Sequence, residues 1–368
     1  MADKVSLFVN GKIFDGWKDV EVKRSIKAIS GSFSLSITDK WSGQNIPWEI
    51  KPGDSCEVKL AKDTVITGFV DSVSLSAEPG GRSISVSGRD KTCDLVDCSV
   101  VHATGEFRGI TLKRLAETLV LPFGLSVIFN RNVGPAFERI AISQGDTVFE
   151  TLEKAARKRG FLITTDSLGS VVFTQPGQIL STTRLDMGQN IISGSGNFDI
   201  KNRYSEYTVK GQHYTSGATE TNPSFAYSIK SISKDETVKR HRPLVIQSEQ
   251  YVNNSDAITR ANWEATVRAA KASTFNITVQ GWRQGDGTLW QANQLVLCKA
   301  DWIGLNGELL ITDVTHRLSS GSGSDGGSTT TLVLERKDAY IPEPTIPEKR
   351  DPLIQAINKD PGLKRAPL

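Results

Sequence analysis

Two hydrophobic periods alternate along this chain of 368 residues. Within residues 5–90, apolar side chains recur at every second position, as in "SFSLSITD" (32–39), and turn signals such as "KPGD" and "EPGGR" separate the runs. Many short alternating strands joined by regular turns are typical of an antiparallel barrel or sandwich. We therefore predict a first β-barrel over residues 1–104, completed by strands near residues 180–200.

The middle of the chain has helical spacing instead. Apolar residues share one helical face in "TLKRLAETLVLPFG" and again in "GDTVFETLEKAARKRG". The T-x-x-E spacing of Thr147 and Glu150 predicts a capping box, and Gly160 can end the helix in the left-handed conformation. "FLITT" and "SVVFT" then predict a strand pair. We predict a small α+β domain with two helices over residues 105–180.

Strand-like alternation returns after the α+β segment and is interrupted by one helix over residues 255–273. Four residues are predicted to lie along one side of that helix: Ile258, Ala261, Ala265 and Ala269. We predict a second β-barrel with one helix over residues 200–340. Because prolines are frequent in residues 341–368 and remove amide donors, we predict an extended C-terminal tail there.

The two β-rich regions echo each other. Residues 53–91 and residues 293–339 both contain a short strand, a loop, a glycine, a longer strand, a Gly-rich turn and a last strand ending in Arg-Asp or Arg-Lys-Asp. Chance similarity between two hairpins is the alternative explanation. A true repeat would give two copies of one β-barrel with the α+β domain between them.

Composition and charge narrow the function classes. Lys and Arg number 44 against 41 Asp and Glu, a balance that disfavours DNA as the main partner. No run of 18 apolar residues occurs, so we expect no membrane insertion by this chain. The N-terminus "MADKVSLFVNG" lacks an apolar signal core, and we expect the chain to stay in the cytoplasm where it is made.

Residues that could carry chemistry are scattered. The cysteines are expected to be free thiols on small, buried residues, and they are Cys56, Cys93, Cys98 and Cys298. The histidines show no ligand spacing, and they are His102, His213, His241 and His316. The fragment "GDGTLW" (285–290) resembles part of a calcium loop, but Leu297 stands where a glutamate is needed, so we predict a turn. We predict no catalytic, cofactor-binding or metal-binding residue.

Two residue groups have both a functional and a structural interpretation. The seven tryptophans could form a sugar-binding platform, but such residues more often fill cores and interfaces. A basic run in the second helix could bind nucleic acid, and it comprises Lys154, Arg157, Lys158 and Arg159. No aromatic residue interleaves these charges, so we favour a solvated helix face.

Several segments together, in this order, resemble the baseplate hub protein of Mu-like contractile-tailed bacteriophages. They include "VSLFVNGKIFDGW", "RSIKAISGSFSLSITDKW", "PWEIKPGDSCEV", "SGRDKTCDLVDCS", "GDTVFETLEKAARKRG", "RPLVIQSEQ" and "QGWRQGDGTLWQANQLV". The resemblance implies a mainly β fold with an α+β insert, in which two related antiparallel β-barrels from each of three chains form a ring. It also implies a virion protein that contacts the tail tube or a tube-initiator protein, the central spike and other baseplate proteins.

The resulting hypothesis is a structural, non-enzymatic hub, a homotrimer that joins a hexameric tail tube to a trimeric spike and leaves a pore through which DNA passes in transit. Two alternatives come from other classes. A tail-associated cell-wall hydrolase would need an acid with a raised pKa in a cleft. An OB-like nucleic-acid-binding protein would need a basic groove with exposed aromatic residues.

Overall fold

The structure is a computed structural model, and the residues it describes are 4–39, 49–78, 81–212, 228–248, 254–320 and 327–344. The chain divides into two compact units, one within residues 1–203 and 266–343, the other including residues 204–265. The fold is mainly β, and most strand pairs are antiparallel. Of the predicted tail 341–368, all residues beyond 344 lie outside the described part.

The first strand set contains seven strands: β1 (Val5–Val9), β2 (Lys12–Phe14), β3 (Asp19–Ser25), β4 (Ser32–Asp39), β5 (Ser55–Leu60), β6 (Asp63–Glu78) and β7 (Gly81–Asp90). Their order in the sheet is β3-β4-β7-β6-β5-β1-β2. Alternate residues point to one side, as the sequence pattern predicts, and Leu7, Leu35, Val58 and Val86 are fully buried there. Trp17 and Trp282 also lie in this core.

The next segment forms the α+β part of the first unit. Its elements are α1 (Cys93–Asp97), β8 (Glu106–Ile110), α2 (Leu112–Val120), β9 (Val127–Phe129), β10 (Phe137–Ala141), α3 (Val148–Lys158), β11 (Leu162–Thr165) and β12 (Val171–Thr174). The predicted capping box is present, with Thr147 and Glu150 exchanging hydrogen bonds, and Gly160 has φ +66°. This part begins earlier than the predicted residue 105, because Leu95 of α1 packs into its core.

The remaining elements are β13 (Ile179–Leu180), β14 (Leu185–Asp186), β15 (Ile191–Phe198), β16 (Glu206–Gln212), β17 (Ser228–Lys234), β18 (Pro243–Gln247), α4 (Asn254–Lys271), β19 (Ser273–Gln280), β20 (Gln294–Ala300), β21 (Leu305–Ser319) and β22 (Gly327–Glu335). Strands β15, β19, β22, β21 and β20 form the second strand set, in that order, and β13 and β14 pair with β20. Their core includes Phe275, Ile277, Val314 and Leu332.

The two strand sets repeat one topology. In chain order, β3, β4, β5, β6 and β7 correspond to β15, β19, β20, β21 and β22. Their spatial orders, β3-β4-β7-β6-β5 and β15-β19-β22-β21-β20, are then the same. This shared order supports the echo seen in the sequence and extends it by two strands, β3/β15 and β4/β19, at the front of each set.

A β-bulge lies at the same place in both sets. The register of β6 against β7 shifts between Val70 and Ser72, and that of β21 against β22 shifts between Ile311 and Asp313. Ser72 therefore corresponds to Asp313. A bulge bends the strand that carries it and increases its twist, so both long strands change direction at equivalent points.

Two segments differ from the prediction. The strands near residues 180–200 do not complete the first set, because β13 and β14 pair with β20 and β15 pairs with β19. Within the predicted second barrel, strands β16, β17 and β18 instead form a separate sheet of order β17-β16-β18 in the second unit. A repeat interrupted by an inserted sheet cannot be recognised from strand-like alternation, because both segments alternate alike.

Helix α4 packs with a face rotated from the predicted one. Ala257 and Ala261 are buried with Val209, whereas Ile258 is 46% exposed. Glu264 is also buried, and its carboxylate accepts a hydrogen bond from the Arg260 guanidinium at 2.9 Å. In an alanine-rich helix the apolar face is defined weakly, and this buried ion pair could not be recognised from the sequence.

Candidate functional site: the seam between the two strand sets

The two strand sets are joined by a seam, formed by residues 20–25 of β3 and residues 313–318 of β21. Strand β21 pairs with β22 along one edge. On its other edge it pairs first with β20, through Leu305–Leu310, and then with β3. The bulge lies between the segment of β21 that pairs with β20 and the segment that pairs with β3. The first segment of β21 therefore pairs within the second strand set on this edge, and the last segment pairs with the first strand set.

Charged side chains reinforce the seam. The Arg317 guanidinium lies 2.9 Å from the Glu21 carboxylate across the strand pair. The ammonium group of Lys27 lies 2.5 Å from Glu335 and 3.3 Å from Asp313. Burial alone would lower the pKa of Lys27, but hydrogen bonds and charge attraction from these two carboxylates outweigh it, and the net shift is upward. Lys27 therefore stays charged and bound.

Beside these ion pairs, the seam contains one buried histidine. His316 is 5% exposed, and its Nδ1 atom lies 3.1 Å from the Thr330 hydroxyl. Burial lowers the pKa of His316 to about 4, and the nearby positive charges of Arg24 and Arg283 act in the same direction. The imidazole is neutral at physiological pH, so we assign it a packing role in the seam.

The four cysteines do not share a site. Cys56, Cys93 and Cys298 are buried, and burial raises the pKa of their thiols to about 12, 12 and 11. Cys98 is exposed, contrary to the expectation of a buried residue. Within the described residues, no group of three or more histidine, cysteine or acidic side chains could hold a metal ion.

The carboxyl group that best matches a raised-pKa acid is Asp90, at the end of β7. Burial raises its pKa, and the side chain is 1% exposed. Its Oδ2 accepts the Gly31 amide at 2.7 Å, and its Oδ1 accepts both the amide and the hydroxyl of Thr92. Because both oxygens are occupied and out of reach of solvent, Asp90 is a structural residue rather than the general acid that a hydrolase requires.

Three residues of the basic run in and after α3 have partners within the chain. Lys154 lies 2.6 Å from Asp146, and Arg157 lies 2.7 Å from Glu153. Arg159 donates to the Pro135 carbonyl and stacks on the Phe137 ring at 4.3 Å. These contacts agree with the interpretation of a solvated helix face.

Trp17, Trp282 and Trp290 are buried, as expected for core residues, whereas Trp302 is exposed. The fragment "GDGTLW" forms a turn in which Asp286 accepts hydrogen bonds from Thr288. No helix among the described residues has the length and apolar character that crossing a membrane requires.

Comparison with known proteins identifies relatives that match most of the chain. Three family models match: the N-terminal domain of the Mu phage baseplate assembly protein GpP-like family (residues 4–90), the second domain of the baseplate hub protein gp44-like family (residues 92–175), and the fourth domain of the Mu phage baseplate assembly protein GpP family (residues 253–343). The baseplate hub protein gp44 of Escherichia phage Mu is 32% identical over 353 residues, 93% of this chain and 90% of that protein.

Solved structures agree with the sequence relatives. The 43 kDa tail protein of prophage MuSo2 from Shewanella oneidensis is 34% identical, with a TM-score of 0.81 over 92% of this chain and 99% of that chain. A type VI secretion system component of E. coli, c3393, is 12% identical, with a TM-score of 0.54 over 92% of this chain and 79% of that chain. The latter likeness shows the fold alone.

Proposed function

This chain belongs to the family of Mu-like phage baseplate hub proteins, and we propose that it forms the homotrimeric hub that joins a hexameric tail tube to a trimeric central spike. The mismatch between these symmetries is the problem that the hub solves. One face must offer six similar surfaces to the tube, and the other must offer three to the spike.

The observation that carries this proposal is the repeated strand order of the two sets within one chain. If each set closes into a β-barrel, three chains supply six similar barrels around one axis, about 60° apart. The α+β part occurs once per chain and would mark the three-fold symmetry. A single gene product can thus present both symmetries without a second type of subunit.

The proposed hub surrounds a pore, and DNA contacts it only in transit. Its partners are the tail tube or a tube-initiator protein, the central spike and other baseplate proteins. We place the mature protein in the tail baseplate of the virion, after assembly in the host cytoplasm and without membrane insertion by this chain.

Loss of the chain provides the decisive experiment. Phage that lack this protein should produce no complete contractile tails in electron micrographs, and wild-type protein supplied in trans should restore them. Reconstruction of the restored baseplates should show three copies between tube and spike. Complete tails without the protein, or a baseplate density with a different copy number, would contradict the proposal.

We also propose that the hub has no catalytic activity on cell wall. Zymography of the purified full-length chain on peptidoglycan should give no cleared band. A cleared band that disappears when one carboxylate is substituted would favour the hydrolase alternative instead.

A further inference from the structure

Each strand set has one strand edge without a partner strand among the described residues. The equivalent edge in the other set is paired, because it forms the seam. Strand β6 pairs with β7 from Gly68 to Glu78, but on its other side β5 reaches only as far as Phe69. Among the described strands, none pairs with residues 72–77 on that side. Strand β15 likewise pairs with β19 and, within the described part of the chain, with no strand on its opposite edge.

The register of the repeat identifies the residues that correspond to the seam. Because Ser72 corresponds to Asp313, residues 72–77 of β6 are the equivalents of residues 313–318 of β21. Val22 pairs with Phe33 in β4, and Gly196 pairs with Phe275 in the equivalent strand β19. Residues 194–199 are therefore the equivalents of residues 20–25 of β3.

We propose that these two open edges pair with each other between neighbouring copies of this chain, in the register of the seam, so that β15 of one copy adds to β6 of the next. Ser74 would then lie opposite Asn197, and Leu75 opposite Gly196, as Thr315 lies opposite Lys23 within the chain. This inference rests on the proposed homotrimer and specifies the surface that holds it together. The contact is head-to-tail, which closes into a ring when its rotation permits.

Burial at equivalent positions supports the assignment. Ile26, directly after β3, is 4% exposed, whereas its equivalent Ile200, two residues after β15, is 44% exposed. His316 is 5% exposed, and its equivalent Leu75 is 61% exposed. Apolar side chains at an open strand edge invite pairing with another strand, and the seam shows how such an edge is covered in this fold.

The backbone also presents its hydrogen-bonding groups in the required direction. At the seam, the Ile26 amide donates to the Thr312 carbonyl of β21 at 2.9 Å. In the second set, the Asp199 amide donates to Ala272, on the β19 side, at 2.8 Å. Because amide directions alternate along a strand, the N–H group of Phe198, the last residue of β15, points to the open edge. Phe198 is the equivalent of Arg24, two residues before Ile26, so its N–H has the direction that the Ile26 N–H has at the seam.

Phe198 contributes the largest apolar surface on this edge. Its ring packs edge-on against Phe275 at 5.6 Å between centroids, yet the side chain remains 64% exposed. In the proposed register it would lie opposite Val73. The occupant that these observations favour is a second copy of this chain, because both complementary edges are present on it and their mode of pairing is already realised at the seam.

Disulfide trapping tests the proposed register directly. The full-length chain carries Cys98→Ser to remove its exposed thiol, together with Ser74→Cys and Asn197→Cys. This pair would be of the non-hydrogen-bonded kind, with Cα atoms about 4.5 Å apart, a separation that a disulfide accepts. Mild oxidation should give covalent dimers and trimers on a non-reducing gel, with no species beyond the trimer.

The seam supplies a matched control. Lys23→Cys with Thr315→Cys, in the same Cys98→Ser background, places two thiols at equivalent positions within one chain. It should form an intramolecular disulfide and migrate as a monomer. The single variants Ser74→Cys and Asn197→Cys should give no trimer.

The results of disulfide trapping can contradict the proposed strand pairing without contradicting the proposed homotrimeric hub, and the reverse also holds. If the Lys23/Thr315 pair closes and the Ser74/Asn197 pair does not, the inter-chain register is wrong, whether light scattering finds a trimer or a monomer. A trimer in that experiment would leave the hub proposal standing with another interface. Covalent species larger than three would support the strand pairing and contradict the closed homotrimer.

A second variant tests the apolar part of the same surface. Leu75→Asp places a charge in the proposed contact and should weaken self-association at least tenfold, as measured by analytical ultracentrifugation. Val101→Asp is the control, because Val101 is 98% exposed and lies outside the edges. An unchanged dissociation constant for Leu75→Asp, in a variant with a native melting temperature, would overturn the proposal.

Discussion

The guanidinium of Arg24 in β3 lies 2.8 Å from the carbonyl oxygen of Asp166, in the turn between β11 and β12. The same nitrogen donates to the Thr165 carbonyl at 2.6 Å, and the other terminal nitrogen donates to the Val65 carbonyl at 2.9 Å. Arg24 thereby links the first strand set to the α+β part. Three backbone acceptors are satisfied by a single side chain.

We expect Arg24→Met to reduce the free energy of unfolding by about 3 kcal/mol, since it leaves buried acceptors without a donor and removes a positive charge near Asp90. Urea denaturation would measure the change. Arg108→Met is the control, because it removes an exposed ion pair with Glu106 and should change stability by less than about 1 kcal/mol. Equal effects of the two variants would contradict the role of Arg24.

Gly68 allows β6 to approach β7 closely. A Cβ atom on Gly68 would lie 1.9 Å from the Arg89 carbonyl oxygen, so the backbone would have to move. We expect Gly68→Ala to destabilise the protein by about 1–3 kcal/mol, measured by thermal or urea unfolding. Ser74→Ala, on the exposed part of the same strand, should be nearly neutral. A fully stable Gly68→Ala protein would show that the close approach is not required.

His316 should make stability depend on pH. The folded pKa of about 4 lies below the unfolded value of 6.5, so between these values the unfolded chain binds more protons than the folded one. We expect stability to fall by about 3 kcal/mol as the pH decreases from 7 to 4, through this residue alone. Unfolding of wild type and His316→Gln across this range would measure it, and parallel pH profiles would contradict the assignment.

The capping box of α3 should have a local effect. Thr147→Ala removes the hydroxyl that accepts a hydrogen bond from the Glu150 amide, and we expect the free energy of unfolding to decrease by about 1 kcal/mol. Thr118→Ala is the matched control, because Thr118 donates to the Arg114 carbonyl on an exposed part of α2 and caps no helix end. Calorimetric unfolding would measure the stability of both variants. An equal decrease in stability for Thr147→Ala and Thr118→Ala would contradict the stabilising role of the cap.

The elements with strong local signals were predictable from the sequence. Helix α3, which is capped by Thr147 and ends before Gly160, is present because its cap, its apolar face and its stop signal all agree. The echo between residues 53–91 and 293–339 was also visible, because each segment is continuous in the chain.

The two further equivalent strands could not be predicted. Strands β3 and β4 follow each other directly, whereas their equivalents β15 and β19 are separated by strands β16, β17 and β18 and helix α4. The seam itself escaped prediction for a related reason. It joins strands from opposite ends of the chain, and no residue in "VEVKRS" shows which strand edge it will meet.

The seam also has a consequence for the order of events during synthesis. Glu21 and Arg317, which face each other across it, are 296 residues apart in the chain. At about 5–20 residues per second, a ribosome needs roughly 15–60 s to deliver the second strand after the first. During that interval the outer edge of β3 has no native partner and is open to nascent neighbours on the same message. The β3 edge can therefore find its native partner only after β21, near the end of the chain, has been synthesised.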